Sequence, residues 1–143
     1  MIAVDTNVLV YAHRAECVFH PQAFACMKRL AEGAQPWAIP VSCLLEFLSV
    51  VTNAKVFRPP SSQAQAITQV DAWLASPSAQ VLHSGAQHWR VLSELARAGH
   101  LQGGQFHDAR IAAICLENGV DALLSADRDF GRFKALRVVN PLV

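Results

Sequence analysis

The sequence predicts an α/β fold built on a mainly parallel sheet of four to five strands. Three observations carry this reading. Several apolar stretches are short enough to be buried strands, each is separated from the next by a segment with helical periodicity, and 143 residues fit one domain able to bury a real core. Hydrophobic residues make up 52% and charged residues 16%, which argues against disorder.

Residues 2–5 read as a short buried strand, with Thr6-Asn7 as a turn and a helix over 7–13. A loop holding His20-Pro21 leads to a helix over 21–32, with Gly33 just past its end. Trp37 to Val41 reads as a second strand, and Ser42 as the N-cap of a helix to about Asn53. Arg58-Pro59-Pro60-Ser61-Ser62 is the strongest break in the chain. It reads as a connection between helices, because each side is too small to fold alone. From Ser61 to Ala75, Ile67, Val70, Trp73 and Leu74 follow helical spacing, and Pro77 closes the segment. A third strand over 79–82 and a helix over 86–98 follow. Gly99 to Phe106 reads as a loop and 107–118 as a helix ended by Gly119. The chain closes with a strand over 122–125, a turn or short helix over 128–133 and a last strand over 137–139. A single domain over 1–143 is expected.

Cys17, Cys26, Cys43 and Cys115 form no CxxC pair, and Cys43 and Cys115 sit inside apolar helical runs. Buried thiols in a reducing cytoplasm are therefore expected, not disulfides or a zinc site. No secretory signal is visible, and no apolar run reaches the length of about 20 residues that a membrane span needs.

The chemistry lies in the acids. Asp5 and Asp127 each follow a predicted strand, and in a parallel sheet sites form beyond the carboxyl ends of the strands. Ser42, Glu46, Ser49 and Asn53 share one narrow helical stripe, while Leu44, Leu45, Phe47, Leu48, Val50 and Val51 occupy every other face. Asp108 is in phase with Ile111, Ala112 and Cys115, which turns it toward the sheet. Each acid has a structural explanation of its own: Asp5 and Asp108 as N-caps, Asp127 as a turn residue, Glu46 on a solvent stripe. That all four fall at two strand ends and two helix faces favours a common cause, a hard divalent cation that compensates their charge. With those acids neutralised, the formal net charge of +1 becomes a modestly basic surface compatible with a polyanion. Gly103-Gly104 lacks the Lys-Ser/Thr of a phosphate loop, no G-x-S-x-G elbow is present, and no H-x-x-x-H spacing occurs. Asp5-Thr6-Asn7 lacks the second acid of a haloacid-dehalogenase-type phosphatase.

Val4-Asp5-Thr6-Asn7-Val8-Leu9-Val10-Tyr11-Ala12 resembles the opening motif of PIN-domain ribonucleases. Leu44-Leu45-Glu46-Phe47 is similar to their second acidic motif and Phe106-His107-Asp108-Ala109 to the third. Ser125-Ala126-Asp127-Arg128-Asp129-Phe130 resembles the closing T/S-x-D-x-D-F motif, with Ser where Thr is frequent. The four occur in order over nearly the whole chain, most like VapC-type toxins of bacterial toxin–antitoxin pairs. The resemblance implies a three-layer α/β/α sandwich, Mg²⁺ or Mn²⁺, hydrolysis of RNA by a metal-activated water, and neutralisation by a small VapB-type antitoxin. Asp5, Glu46, Asp108 and Asp127 are the expected catalytic and metal-holding acids. Asp129 is a further ligand or a support, and Asn7 and Ser125 orient water, phosphate or carboxylate. Arg110, Arg128 and Arg132 are candidates for substrate phosphates, and His107 for a place beside the site. A homodimer is expected, with the amphipathic helices around Pro59-Pro60 as apolar surface for the antitoxin or a second protomer. The competing readings are a housekeeping PIN-type nuclease and a non-catalytic PIN-like interaction module.

Overall fold

The computed structural model describes all 143 residues. Five strands, β1 (Ile2–Val4), β2 (Trp37–Pro40), β3 (Ala79–Leu82), β4 (Ala122–Leu124) and β5 (Val138–Val139), form one sheet in the order β3-β2-β1-β4-β5. All four pairings are parallel, with Ile2 opposite Trp37 on one side and Ala122 on the other. Six α-helices connect them: α1 (Thr6–His13), α2 (His20–Glu32), α3 (Val41–Val51), α4 (Gln63–Leu74), α5 (His88–Gly99) and α6 (Gln105–Glu117). A 3₁₀ turn over Arg128–Arg132 joins β4 to β5.

Right-handed crossovers dictate the layers. The chain moves outward from β1 through β2 to β3, which sets α1 to α4 on one face. It then returns past β1 to β4, which sets α5 and α6 on the other. The helix pairings agree: α1 packs on α2 and α3, α3 on α4, and α5 on α6. The result is a three-layer α/β/α sandwich. Strand order reverses at β1 and β4, so the crevice beyond their carboxyl ends is where a site belongs.

Each strand is too short to hold the sheet by hydrogen bonding alone, and the apolar faces do the rest. Trp37, Ile39, Val4 and Leu123 are fully buried within the sheet. Phe47 on α3 ties the first helical layer together, its ring 5.3 Å edge-on from His13 and 5.1 Å from Trp73.

Several local expectations are corrected. Thr6 is already helical, because the Asp5 side chain caps α1 directly. Ser42 is not an N-cap: α3 starts at Val41 straight from Pro40, and Ser42 Oγ is buried without a hydrogen-bond partner. The expected polar stripe on α3 therefore breaks, since Ser42 turns inward and Asn53 lies beyond the helix. Leu45, assigned to a buried face, is 61% exposed. Helix α4 is capped by Ser62 in a reciprocal capping box with Gln65, and Ala66, not Ile67, is its buried residue beside Trp73. The loop expected to run to Phe106 ends sooner, at Gly104, so Asp108 lies inside the first turn of α6 and caps nothing.

Candidate active site

Asp5 stands where β1 has run out of strand but not of ladder, for its N–H still donates to Leu124 O at 2.9 Å. Its Oδ1 accepts from Thr6 N at 2.8 Å and from the Cys43 thiol at 3.7 Å, and its Oδ2 accepts from Ser125 Oγ at 2.7 Å. Only 4% of Asp5 remains exposed. Burial pushes its carboxyl up from 3.8 to about 6, against the pull of the Ser125 and Thr6 hydrogen bonds and with a smaller push from Glu46.

Ser125 couples the two strand ends. The hydroxyl that donates to Asp5 also accepts from Asp127 N at 3.0 Å. Asp127 in turn caps the 3₁₀ turn, its Oδ1 accepting from Asp129 N at 2.8 Å. The T/S-x-D-x-D spacing is thus a local hydrogen-bonded turn that aims two carboxylates at the carboxyl edge of the sheet. Glu46 reaches the same place from α3, its Oε2 accepting from Thr6 Oγ1 at 2.9 Å. Asp108 enters from α6 on the opposite layer, on the side of the helix that carries buried Ile111, Ala112 and Cys115.

Carboxylate oxygens of Asp108, Asp127 and Asp129 lie within 4.8 Å of one another. Burial, then the charges of Asp127 and Asp129, raise the Asp108 carboxyl above its ordinary range; Arg132 opposes them. At such a distance each ionised pair repels by roughly 3 kcal/mol in a surface-like dielectric, a cost that a shared cation removes. Asp5, Glu46, Asp108 and Asp127 also line one cavity of about 400 Å³ together with Thr6 and Asn7. The donor set fits a hard divalent ion, since the cluster is all carboxylate oxygen. Cys43 and Cys115 lie close behind it as buried thiols, and burial pushes Cys115 up to about 12, so neither offers a thiolate.

The five expected acids therefore converge, in two tiers. Asp108, Asp127 and Asp129 form the tight group; Asp5 and Glu46 line its wall and are held by hydroxyl donors. Asp129, which the sequence placed at the margin, stands inside the tight group, exposed and 3.7 Å from Arg132. Asn7 Oδ1 accepts from Ala126 N at 3.4 Å, bracing the turn that carries Asp127. Arg132 faces Asp129, whereas Arg110, Arg128 and His107 point to solvent. Sequence reasoning missed Thr6 and Cys43. Thr6 sits in the opening motif beside Asp5, and Cys43 precedes Glu46 by three residues, so helical phase offered a signal for the second only. A larger cleft of about 630 Å³ beside His13 and Arg14 contains none of the clustered acids.

The PIN domain family profile matches residues 2–136. The chain is 44% identical over 142 residues to VapC ribonuclease Mb2897 of Mycobacterium bovis, covering 99% of this chain and 96% of that protein. Ribonuclease VapC31 of Mycobacterium tuberculosis is 33% identical over 141 residues, covering 99% of both. Among solved structures, VapBC2 from Rickettsia felis, bound to a promoter DNA fragment, superposes with a TM-score of 0.71 at 21% identity over 98% of each chain. VapC20 of Mycobacterium tuberculosis, a sarcin-ricin loop cleaving toxin, superposes with a TM-score of 0.66 at 20% identity, covering 92% of this chain and 93% of that one. A matched family profile, high identity over full length and the shared fold lead to one conclusion: this chain belongs to the PIN-domain family, among the VapC ribonucleases.

Proposed function

We propose that the protein is a metal-dependent endoribonuclease, the toxin of a type II VapBC toxin–antitoxin pair, with Asp5, Glu46, Asp108 and Asp127 as its catalytic acids. The observation that carries this reading is the convergence of those four carboxylates, with Asp129 beside them, at the point where strand order reverses. Asp5, Glu46, Asp108 and Asp127 would hold a divalent ion, Mg²⁺ or Mn²⁺, with Asp129, in the tight group with Asp108 and Asp127, as a further ligand. Bound there, such an ion supplies positive charge to a phosphodiester and acidifies water at neutral pH.

The chain's own residues do the rest. Ser125 and Thr6 donate to Asp5 and Glu46, which keeps both carboxylates oriented while they accept protons or hydrogen bonds from water. Asp5, its carboxyl raised to about 6 by burial, is largely ionised at neutral pH and so contributes negative charge to the acidic wall. Asn7 fixes the Asp127 turn. This arrangement asks nothing of a 2′-hydroxyl, so the RNA preference rests on the relatives, which are named ribonucleases. A small VapB-type antitoxin as partner, action as a homodimer and a cytoplasmic location complete the reading. No helix is long and apolar enough to cross a membrane.

The test is cleavage of total bacterial RNA by the purified protein in Mn²⁺ and in EDTA, beside Asp5→Asn and Asp108→Asn. Discrete fragments are expected from the parent in Mn²⁺ alone. Equal cutting by the two variants would refute the site assignment. Co-expression with the product of a short adjacent reading frame separates a toxin, whose growth arrest is relieved, from a housekeeping nuclease.

A further inference from the structure

The cavity that holds the acids also has lining of a different chemistry. Besides the acids, Thr6 and Asn7, its lining is Val10, Tyr11, Val50, Val56, Phe57, Ile111 and Phe130. No lysine, arginine or histidine lines any part of it. A phosphate can therefore be held only at the acids, through a cation. The apolar lining suits an occupant that is uncharged and, given the aromatic rings of Tyr11, Phe57 and Phe130, planar.

We propose that this wall is a nucleobase subsite, taking one unpaired base next to the scissile phosphate; it rests on the ribonuclease reading above. The wall is preorganised. The Arg14 guanidinium sits 4.5 Å from the Phe57 ring centroid, and Arg14 is itself anchored to Glu16, Ser61 Oγ and Pro59 O. Backbone N–H groups of Val56 and Phe57 both donate to Asn53 O at 3.0 Å, which closes the turn that carries the two side chains. Tyr11 is backed by Phe19, ring centroids 5.8 Å apart. Val56 is 54% exposed, an apolar side chain held at the mouth of a polar site. At about 400 Å³ the cavity lies in the range of pockets for single small ligands. Aromatic walls of this kind recognise RNA bases that have been splayed out of single-stranded regions. The wall thus selects for unpaired RNA and, through its shape, for the base at one side of the cut.

The experiment uses the full chain with Mn²⁺ and a short single-stranded RNA spanning its strongest cut in total RNA. An abasic nucleotide is placed in turn on each side of the scissile bond. On the parent protein, one of the two abasic substrates should lose about ten- to a hundred-fold in kcat/KM, mostly through KM. On a Tyr11→Ala/Val56→Ser variant with a parental circular dichroism spectrum, the same substitution should cost less than about threefold, because the base no longer has its platform. As a readout free of turnover, 2-aminopurine at that position should be quenched on binding to Asp5→Asn and recover when Tyr11→Ala/Val56→Ser is added. Parental rates on both abasic substrates, or an undiminished abasic penalty in the variant, would overturn the subsite. If the variant loses only affinity for the antitoxin, the wall belongs to a protein partner and the proposal fails. If the parent cuts no RNA at all, it is the ribonuclease reading that falls, a different result from base-independent cutting.

Discussion

Replacing Asp5 by Asn isolates the electrostatic cost of building this site. Raising a carboxyl from 3.8 to about 6 costs the ionised fold about 3 kcal/mol at neutral pH. Burial is the main cause, so the cost is present in the metal-free protein. Between about pH 4 and pH 6 the folded state retains a proton that the unfolded chain has released. Stability therefore falls as pH rises through that window and levels off above it. Asn carries no charge and keeps an acceptor for Thr6 N at the position of Oδ1. Its Nδ2 takes the place of Oδ2, and Ser125 Oγ must turn from donor to acceptor to meet it, while still accepting from Asp127 N. Allowing about 1 kcal/mol for that rearrangement leaves Asp5→Asn about 2 kcal/mol more stable at pH 7.5. For a chain of this size that is a rise of about 6–8 °C in Tm. Urea denaturation in EDTA across pH 4.5 to 8 is the assay. The parent and variant curves should converge at the acid end and separate through pH 6. Parallel curves, or a variant that is less stable at pH 7.5, would refute a buried, charge-destabilised Asp5.

Divalent ions should offset the same charge cost in the parent. Mn²⁺ at a hundredfold excess over its dissociation constant should stabilise the parent by about 2.7 kcal/mol in calorimetry, and Asp108→Asn should weaken that response at least tenfold in concentration. A pure scaffold would show no response in either protein. With Cys26, Cys43 and Cys115 buried and only Cys17 partly accessible, an aromatic disulfide reagent should titrate one thiol rapidly in the native protein and all four in denaturant. Rapid reaction of a second thiol would contradict the packing behind Asp5. Ser62→Ala removes the capping box of α4 and should cost about 1 kcal/mol in denaturant unfolding. No change would mean that α4 is held by Trp73 packing alone.

The strands were legible because each is a short apolar run between helical segments, and their order of appearance was enough to require a parallel sheet. Asp5 and Asp127 were legible for the same reason, as the first charges after β1 and β4. Asp108 was legible from phase, since it shares its helix face with Ile111, Ala112 and Cys115. Helix ends were less so. Ser42 carries a capping side chain, yet α3 begins one residue earlier because Pro40 leaves the sheet already at the helix start. Leu45 and Ile67 obey apolar periodicity but lie outside the contact zone between layers, which local pattern cannot register.

Local chemistry, then, dictated the fold class, the inward phase of Asp108 and the four acidic motifs, because each depends on residues within a few positions of one another. Tertiary structure alone decided which carboxylates touch. It drew Asp129 into the tight group with Asp108 and Asp127, stood Asp5 behind Ser125 and Cys43, and gave Glu46 its donor in Thr6, forty positions away. It also closed Tyr11 and Phe57 over the same cavity as the acids. Those contacts join strand ends and helices far apart in the chain, and only the reversal of strand order at β1 and β4 brings them together.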